Sequence, residues 1–380
     1  MKKICFITGT RADYGIMAPV MRIIKESPEV ELQIIATNMH LSPAYGMTVN
    51  EISDAGFHVD YKIDSLVEGG TNESTVESMA RVQSGMAKVL MELKPDLIVI
   101  LGDRFEALAA ASSAVVFGVP VVHLHGGETT EGAFDDMFRN ATTKLSTYHF
   151  ASTPQYAEKI ISMGENPDNV YHSGAPGAEI LVDDDIETTQ KFSEKTGFSP
   201  QEKFIILAMH PATLDENNGL KDVEATISAL DLFINQEYRI LVTMPNADPG
   251  NMEIRQRLKE WENQNPSSVV CVESLGSKLF RYAMSKASAI VVNSSAALIE
   301  APTLRLPAIN VGIRQKGRCQ GPSVINSPGE ISKIREAVSR GLSKEFNENL
   351  NKMPIEEVNP YYKKDSANFI ANRLKTILKP

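Results

Sequence analysis

Cysteine is scarce. The three in 380 residues (Cys5, Cys271, Cys319) are scattered and form no CxxC pair. That excludes a disulfide framework and a cysteine-built zinc site, and it fits a reducing, cytoplasmic compartment. Long apolar runs are missing: no stretch reaches the ~18 residues a membrane span needs. The apolar run after Met1-Lys2-Lys3 breaks at Gly9 and is too short for a signal peptide. Cationic excess is also absent. A net charge of −10 argues against the basic face that nucleic acid requires, yet leaves small anionic ligands open. Gly9 and Gly15 stand six apart with Arg11 and Asp13 between them, so the GxGxxG dinucleotide fingerprint is not met, and the Gly-Lys-Ser/Thr of a P-loop does not occur. His123 and His125 form an HxH pair that would share one face of a strand, but no third ligand stands out. No NAD, other cofactor or metal is therefore expected. Internal repeats and low-complexity tracts are lacking too.

What is present is ordinary globular composition, 42% hydrophobic and 23% charged, over a length that favours two domains. Buried-strand patterns at 3–8, 31–37, 95–101 and 119–124, with a weaker one at 59–63, alternate with helical patterns at 16–25, 75–93 and from 104 to about 117. Residues 9–15 read as a turn, 38–43 as a loop and 69–72 as a flexible loop. Alternation of this kind predicts a parallel, doubly wound sheet with helices on both faces. The pattern weakens at the acidic stretch 181–186. It resumes with strands at 204–208, 239–244, 269–272, 289–292 and 308–311. The expected organisation is a Rossmann-like domain over 1–182, a solvated connector over 183–200, and a second Rossmann-like domain over 201–358. A tail over 359–380 follows; its amphipathic helix (Phe369, Ile370, Leu374, Ile377) would pack back on the first domain.

Ligands of open parallel sheets bind beyond the carboxyl ends of the strands. Those ends carry Arg11, His40, Asp103, Arg104, His125, Glu128, His210, Glu273, Ser294, Ser295 and Arg314. Each has a plainer reading taken singly: Asp103 or Ser294 as a helix N-cap, Arg11 as a structural ion pair, His210 as a loop residue, Glu128 as a solvated acid. Their coincidence at nearly every strand end is harder to explain that way. The stretch 287–301 reads as strand, polar turn and helix, with 306–312 as the next strand. Its turn, Asn293-Ser294-Ser295, would set two hydroxyls and backbone N–H groups at a helix N-terminus, which suits a phosphate.

Six motifs in order carry a resemblance: Gly9-Thr10-Arg11-Ala12-Asp13-Tyr14; Gly102-Asp103-Arg104-Phe105; His125-Gly126-Gly127-Glu128 followed by Asp135-Asp136; His210-Pro211; Asn293-Ser294-Ser295 with Glu300; and Gly312-Ile313-Arg314-Gln315-Lys316-Gly317-Arg318. From residue 3 to about 325 the chain resembles the hydrolysing UDP-N-acetylglucosamine 2-epimerases of sialic acid and related nonulosonate synthesis, the legionaminic type included. Relatives that do not hydrolyse usually read Gly-Thr-Arg-Pro-Glu at the first motif.

The resemblance implies a glycosyltransferase-B-like fold with two Rossmann-like domains facing across a cleft. It implies a homodimer, a UDP-sugar substrate, and anti elimination of UDP to a 2-acetamidoglucal. Water then adds and releases the 2-epimer, N-acetylmannosamine in the simplest case. By the same resemblance Arg11, His210, Ser294, Ser295 and Arg314 would hold the diphosphate and Glu300 the ribose. Arg104 would neighbour the nucleotide sugar, while Asp103 and Asp135 would move protons. His125 stands where animal relatives carry glutamate, so either it or Glu128 takes that role. The loop to Asp135 is one residue longer than in those relatives, so Asp136 could replace Asp135. A glycosyltransferase or a non-catalytic nucleotide-sugar sensor would share these features.

Overall fold

The computed structural model describes residues 1–179, 182 and 184–379. These divide into two compact units. The first comprises 1–128, 134–179 and 363–380; the second comprises 129–133 and 180–362.

The first unit is a seven-stranded parallel sheet. Its strands are β1 (Lys2–Thr8), β2 (Val30–Thr37), β3 (Tyr61–Ile63), β4 (Leu97–Leu101), β5 (Val121–Leu124), β6 (Tyr148–Ala151) and β7 (Val170–His172), in the order β3-β2-β1-β4-β5-β6-β7. Successive side chains of a strand point to opposite faces, and β1 divides accordingly. Ile4 and Phe6 join a core with helices Arg11–Lys25 and Ser366–Ile377, while Cys5 and Ile7 join one with helices Asn72–Leu93 and Phe105–Val116. Burial on both faces is why these strands read as continuous apolar runs. The last helix buries Ile370, Ala371 and Leu374 in the first of these cores.

The second unit is a six-stranded parallel sheet of β8 (Phe204–Ala208), β9 (Arg239–Thr243), β10 (Val269–Val272), β11 (Ala289–Val292), β12 (Ala308–Val311) and β13 (Val324–Ser327), in the order β10-β9-β8-β11-β12-β13. Helices Leu220–Ile234, Asn251–Gln264 and Ile331–Leu342 cover one face through Val223, Leu230, Leu258, Trp261 and Val338.

Three local readings change. Residues 11–15 are not turn but the first turn of helix Arg11–Lys25: Thr10 caps it, and Asp13 closes a capping box, which fixes the start ahead of the apolar periodicity. Within the expected connector, 186–196 forms helix Ile186–Thr196, capped by Asp185. Its Phe192 is fully buried against Phe204 and Tyr282, so one aromatic anchor outweighs a polar sequence. Residues 181 and 183 of the acidic stretch lie outside the described residues. Strands β6, β7 and β13 carry no strong apolar run and were not expected.

Candidate active site

Strand order reverses between β1 and β4 in the first unit and between β8 and β11 in the second. Crevices at such switch points are where this architecture takes ligands.

At the first switch point the ends of β1, β4 and β5 converge. Asp13 ties the β1 turn together, accepting from Gly9 N (2.9 Å), Thr10 N (2.9 Å), Tyr14 N (2.7 Å) and Thr8 Oγ1 (2.9 Å). This leaves Arg11, the partly exposed first residue of the helix, at the rim. Arg104 caps helix Phe105–Val116 without a side-chain capping bond, so Asp103 is not an N-cap. Arg104 Nε donates to Glu106 at 2.7 Å. Burial raises the Glu106 carboxyl above its usual range, and the Arg104 charge opposes that rise. A Cβ on Gly9 would run into this carboxylate, which explains the glycine there.

Asp103, with its side chain 24% exposed, is paired to the buried guanidinium of Arg139. Arg139 also faces Asp136 at 3.6 Å and donates to the Glu128 carbonyl at 3.1 Å. An adjacent cation favours the ionised carboxylate. Asp136 is thus held by Arg139 and by Asn140 (3.1 Å), whereas Asp135 is buried in the same first turn of helix Asp135–Leu145.

The β5 end breaks strand alternation. His125 has φ 63, a left-handed conformation that costs a non-glycine residue about 1–2 kcal/mol and that clusters at functional sites. His123 and His125 therefore do not share a strand face as an HxH pair would. His123 is buried, with Nε2 donating to the Gly102 carbonyl at 2.7 Å and Nδ1 3.2 Å from Thr143 Oγ1. Desolvation drives its pKa down to about 3. His125 Nδ1 lies 2.9 Å from Glu128 Oε1, and Ser152 Oγ donates to the same oxygen at 2.6 Å. Among the described residues no cluster of three histidine, cysteine, aspartate or glutamate side chains is placed to hold a metal ion, and no helix is long and apolar enough to cross a membrane.

His40 is a correction. It is fully buried, with Nε2 2.9 Å from Thr8 Oγ1 and Nδ1 2.8 Å from Thr48 Oγ1, so it braces the β1 turn from below and presents no surface to a ligand. Burial lowers its pKa against the pull of Asp13.

At the second switch point Asn293 Oδ1 accepts from His210 N and Asn293 Nδ2 donates to the His210 carbonyl, both at 2.8 Å. His210 Nδ1 accepts from Asn246 N at 3.3 Å, so the ring hydrogen sits on Nε2, a donor suited to a phosphate oxygen. Arg314 Nε donates to the Pro211 carbonyl (3.0 Å) and Nη1 to the Asn293 carbonyl (3.2 Å), and Asp248 lies 4.0 Å from Nη2. Ser294 and Ser295 are partly exposed beside them. The helix they precede, Ala296–Ile299, is a single turn with no side-chain capping bond. The helix expected after the polar turn is thus only this one turn, and what it offers an anion is chiefly the pair of hydroxyls. Glu300 follows, partly exposed, as that turn ends. Residues 129–133 pack against the loop after β12: Glu131 N donates to the Lys316 carbonyl at 3.2 Å, and a Cβ on Gly132 would stand 2.6 Å from Arg314 Cα. Glu273 is set apart, two strands from β8, exposed and ion-paired with Arg255.

Sequence reasoning passed over Arg139, Ser152, Glu106, Asn246 and Asp248. Arg139 was findable: it lies four residues after Asp135 and three after Asp136, so all three share a helix face. Ser152 follows an unexpected strand, and Glu106 has no periodic signal.

These two parallel-sheet units carry acids and a histidine at one switch point and hydrogen-bond donors suited to an anion at the other, an α/β architecture with two candidate ligand-binding crevices. The profile of the UDP-N-acetylglucosamine 2-epimerase family matches residues 22–375, and the chain belongs to that family. It is 33% identical over 377 residues (99% of this chain, 96% of the relative) to the UDP-N,N'-diacetylbacillosamine 2-epimerase (hydrolyzing) of Legionella pneumophila. It is 32% identical over 348 residues (92% and 89%) to the GDP/UDP-N,N'-diacetylbacillosamine 2-epimerase (hydrolyzing) of Campylobacter jejuni. The crystal structure of UDP-GlcNAc 2-epimerase from Neisseria meningitidis bound to UDP-GlcNAc shares the fold at TM-score 0.80 and 21% identity, covering 98% of this chain and 100% of that one.

Proposed function

We propose that this chain is a hydrolysing 2-epimerase of a UDP-linked 2-acetamido sugar, releasing UDP and the free 2-epimer. The observation that carries the reading is the set of proton-transfer groups at adjacent ends of β4 and β5: Asp103 beside Arg139, and His125 beside Glu128. Diacetamido sugars enter through the names of the two bacterial relatives and UDP-GlcNAc through the family's name. A homo-oligomer is part of the same proposal.

In this reading Asp103, paired with Arg139, takes the C2 proton while the C1–O bond breaks and its electron pair leaves on UDP. The C2 proton is weakly acidic, so stabilising the departing charge supplies most of the driving force. Arg11, His210 Nε2, the Ser294 and Ser295 hydroxyls and Arg314 supply the donors. Glu300 accepts from the ribose hydroxyls, and Arg104 lies along the sugar. Water then bonds to C1 of the glucal, and C2 gains a proton on its other face. Inversion at C2 needs a second group besides Asp103, drawn from Asp135 and the His125–Glu128 pair.

The test is incubation with UDP-N,N'-diacetylbacillosamine and with UDP-GlcNAc in D2O, followed by NMR. UDP with a 2-epimer deuterated at C2 supports the reading. UDP formed only with an added sugar acceptor points to a glycosyltransferase, and saturable UDP binding without turnover points to a sensor.

A further inference from the structure

Resting on the epimerase reading, we propose that His123 is a positioning residue for Asp103. Its ring holds the turn at the end of β4 through the Gly102 carbonyl, and so sets where the proposed base stands.

The HxH pair of the sequence is split in the structure. His125 follows the end of β5 in a left-handed conformation, while His123 stays within the strand and is fully buried. Its Nε2 lies 2.7 Å from the Gly102 carbonyl. A carbonyl only accepts, so the ring hydrogen sits on Nε2 and Nδ1 is bare. Desolvation keeps the ring neutral, with its pKa down to about 3. A neutral ring has one N–H to give, and it goes to the residue before Asp103. Leu124, next to His123 in β5, accepts the Gly102 N–H at 2.9 Å. Both backbone polar groups of Gly102 are therefore held by consecutive residues of one strand. Gly102 itself has φ 76, and nothing lies within 4 Å of where its Cβ would stand. The glycine answers a left-handed turn rather than a lack of space. A residue this free in the unfolded chain needs outside contacts to keep one conformation.

The contacts close a circuit. Asp103 pairs with Arg139. One helical turn on, Thr143 Oγ1 stands 3.2 Å from His123 Nδ1, with the Arg139 carbonyl 2.9 Å away as its other acceptor. His123 then returns to Gly102, the neighbour of Asp103. Asp103 is thus tied to helix Asp135–Leu145 twice, by its side chain through Arg139 and by its backbone through His123. The space around the ring is closed as well. A Cβ on Gly126 would stand 2.9 Å from His123 Nδ1 and 3.2 Å from Thr143 Oγ1. Two tethers fix both the place and the direction of a side chain, where one leaves a hinge. Proton abstraction depends on such placement: a shift of about 1 Å can cost about 10²-fold in rate.

The test uses the full chain as wild type, His123→Gln, His123→Asn, Asp103→Asn and the double variant of the last two. Glutamine carries an amide N–H about as far as ring Nε2, whereas asparagine is too short for the Gly102 carbonyl. His123→Asn is expected to lower kcat by about 10- to 100-fold, with UDP affinity and the number of UDP sites unchanged by calorimetry. His123→Gln should recover to within about fivefold of wild type. Once Asp103 is Asn, changing His123 should cost nothing further, because it acts through that carboxylate; general damage to the fold would multiply the two losses. With 13C- and 15N-labelled histidine, the NMR signal missing from His123→Gln should be that of an Nε2–H tautomer. Full turnover in His123→Asn, losses that multiply, or an Nδ1–H ring overturns the proposal. Should His123→Asn fail to fold, Thr143→Val takes its place in the same cycle with a smaller loss of kcat, and full turnover there overturns it. A wild type that turns over no nucleotide sugar instead overturns the epimerase reading, while the tautomer still tests the bond from His123 to Gly102.

Discussion

Asn293 and His210 hold each other by two hydrogen bonds of 2.8 Å, one through each end of the amide, joining the loop after β11 to the loop after β8. The Asn293 carbonyl is also where Arg314 Nη1 and Gln315 Nε2 donate, at 3.2 and 3.0 Å. One buried amide residue thus sets the ring and the guanidinium proposed to grip the diphosphate.

Replacing Asn293 with Asp keeps the acceptor for His210 N but removes the donor to the His210 carbonyl. A loss of about 1–3 kcal/mol in folding stability is expected, with weaker UDP binding. Urea unfolding and calorimetric titration with UDP measure the two effects, and Asn293→Ala should be worse on both.

Arg139 is a buried cation with partners on three segments: Asp103, Asp136 and the Glu128 carbonyl. Arg139→Met leaves Asp103 without its counter-charge. Losing the guanidinium's hydrogen bonds costs about 1–3 kcal/mol, so the thermal midpoint should drop below that of wild type.

Gly9→Ala places a methyl group against Glu106 and disturbs its 2.7 Å bond with Arg104. Overpacking of this kind costs about 1–3 kcal/mol. The accompanying sign is a raised KM for the nucleotide sugar if Arg104 lies along the substrate.

Burial holds His123 down to about 3 and His40 below its ordinary value. Both stay neutral in the folded chain while the unfolded chain titrates near 6.5. Below that pH the unfolded state binds the extra protons, so stability falls as the pH falls, for His123 over the window from about 6.5 to about 3. The limiting slope is about 1.4 kcal/mol per pH unit for each histidine. Glu106, raised by burial, opposes this. The stability advantage of wild type over His123→Gln is free of the Glu106 contribution and should shrink as the pH falls below about 6.5 in denaturant titrations.

Much of this was legible because parallel strands buried on both faces print as apolar runs, and ligand chemistry in such sheets collects where those runs end. Asp103, His125, Glu128, His210 and Arg314 were placed at strand ends that way. The rest depended on single contacts that leave no period in the sequence: the Thr10–Asp13 capping box that starts a helix early, Phe192 anchoring a polar helix, Thr8 and Thr48 closing over His40. The left-handed turn at His125 likewise cannot be read from an HxH pair, since strand alternation stops one residue before it.

The central claim is tested most directly by following UDP-N,N'-diacetylbacillosamine and UDP-GlcNAc by NMR in D2O with the wild-type chain. The account predicts UDP release together with a 2-epimer carrying deuterium at C2, and loss of both in Asp103→Asn. Release of UDP with a sugar that keeps its original C2 proton and configuration would contradict it.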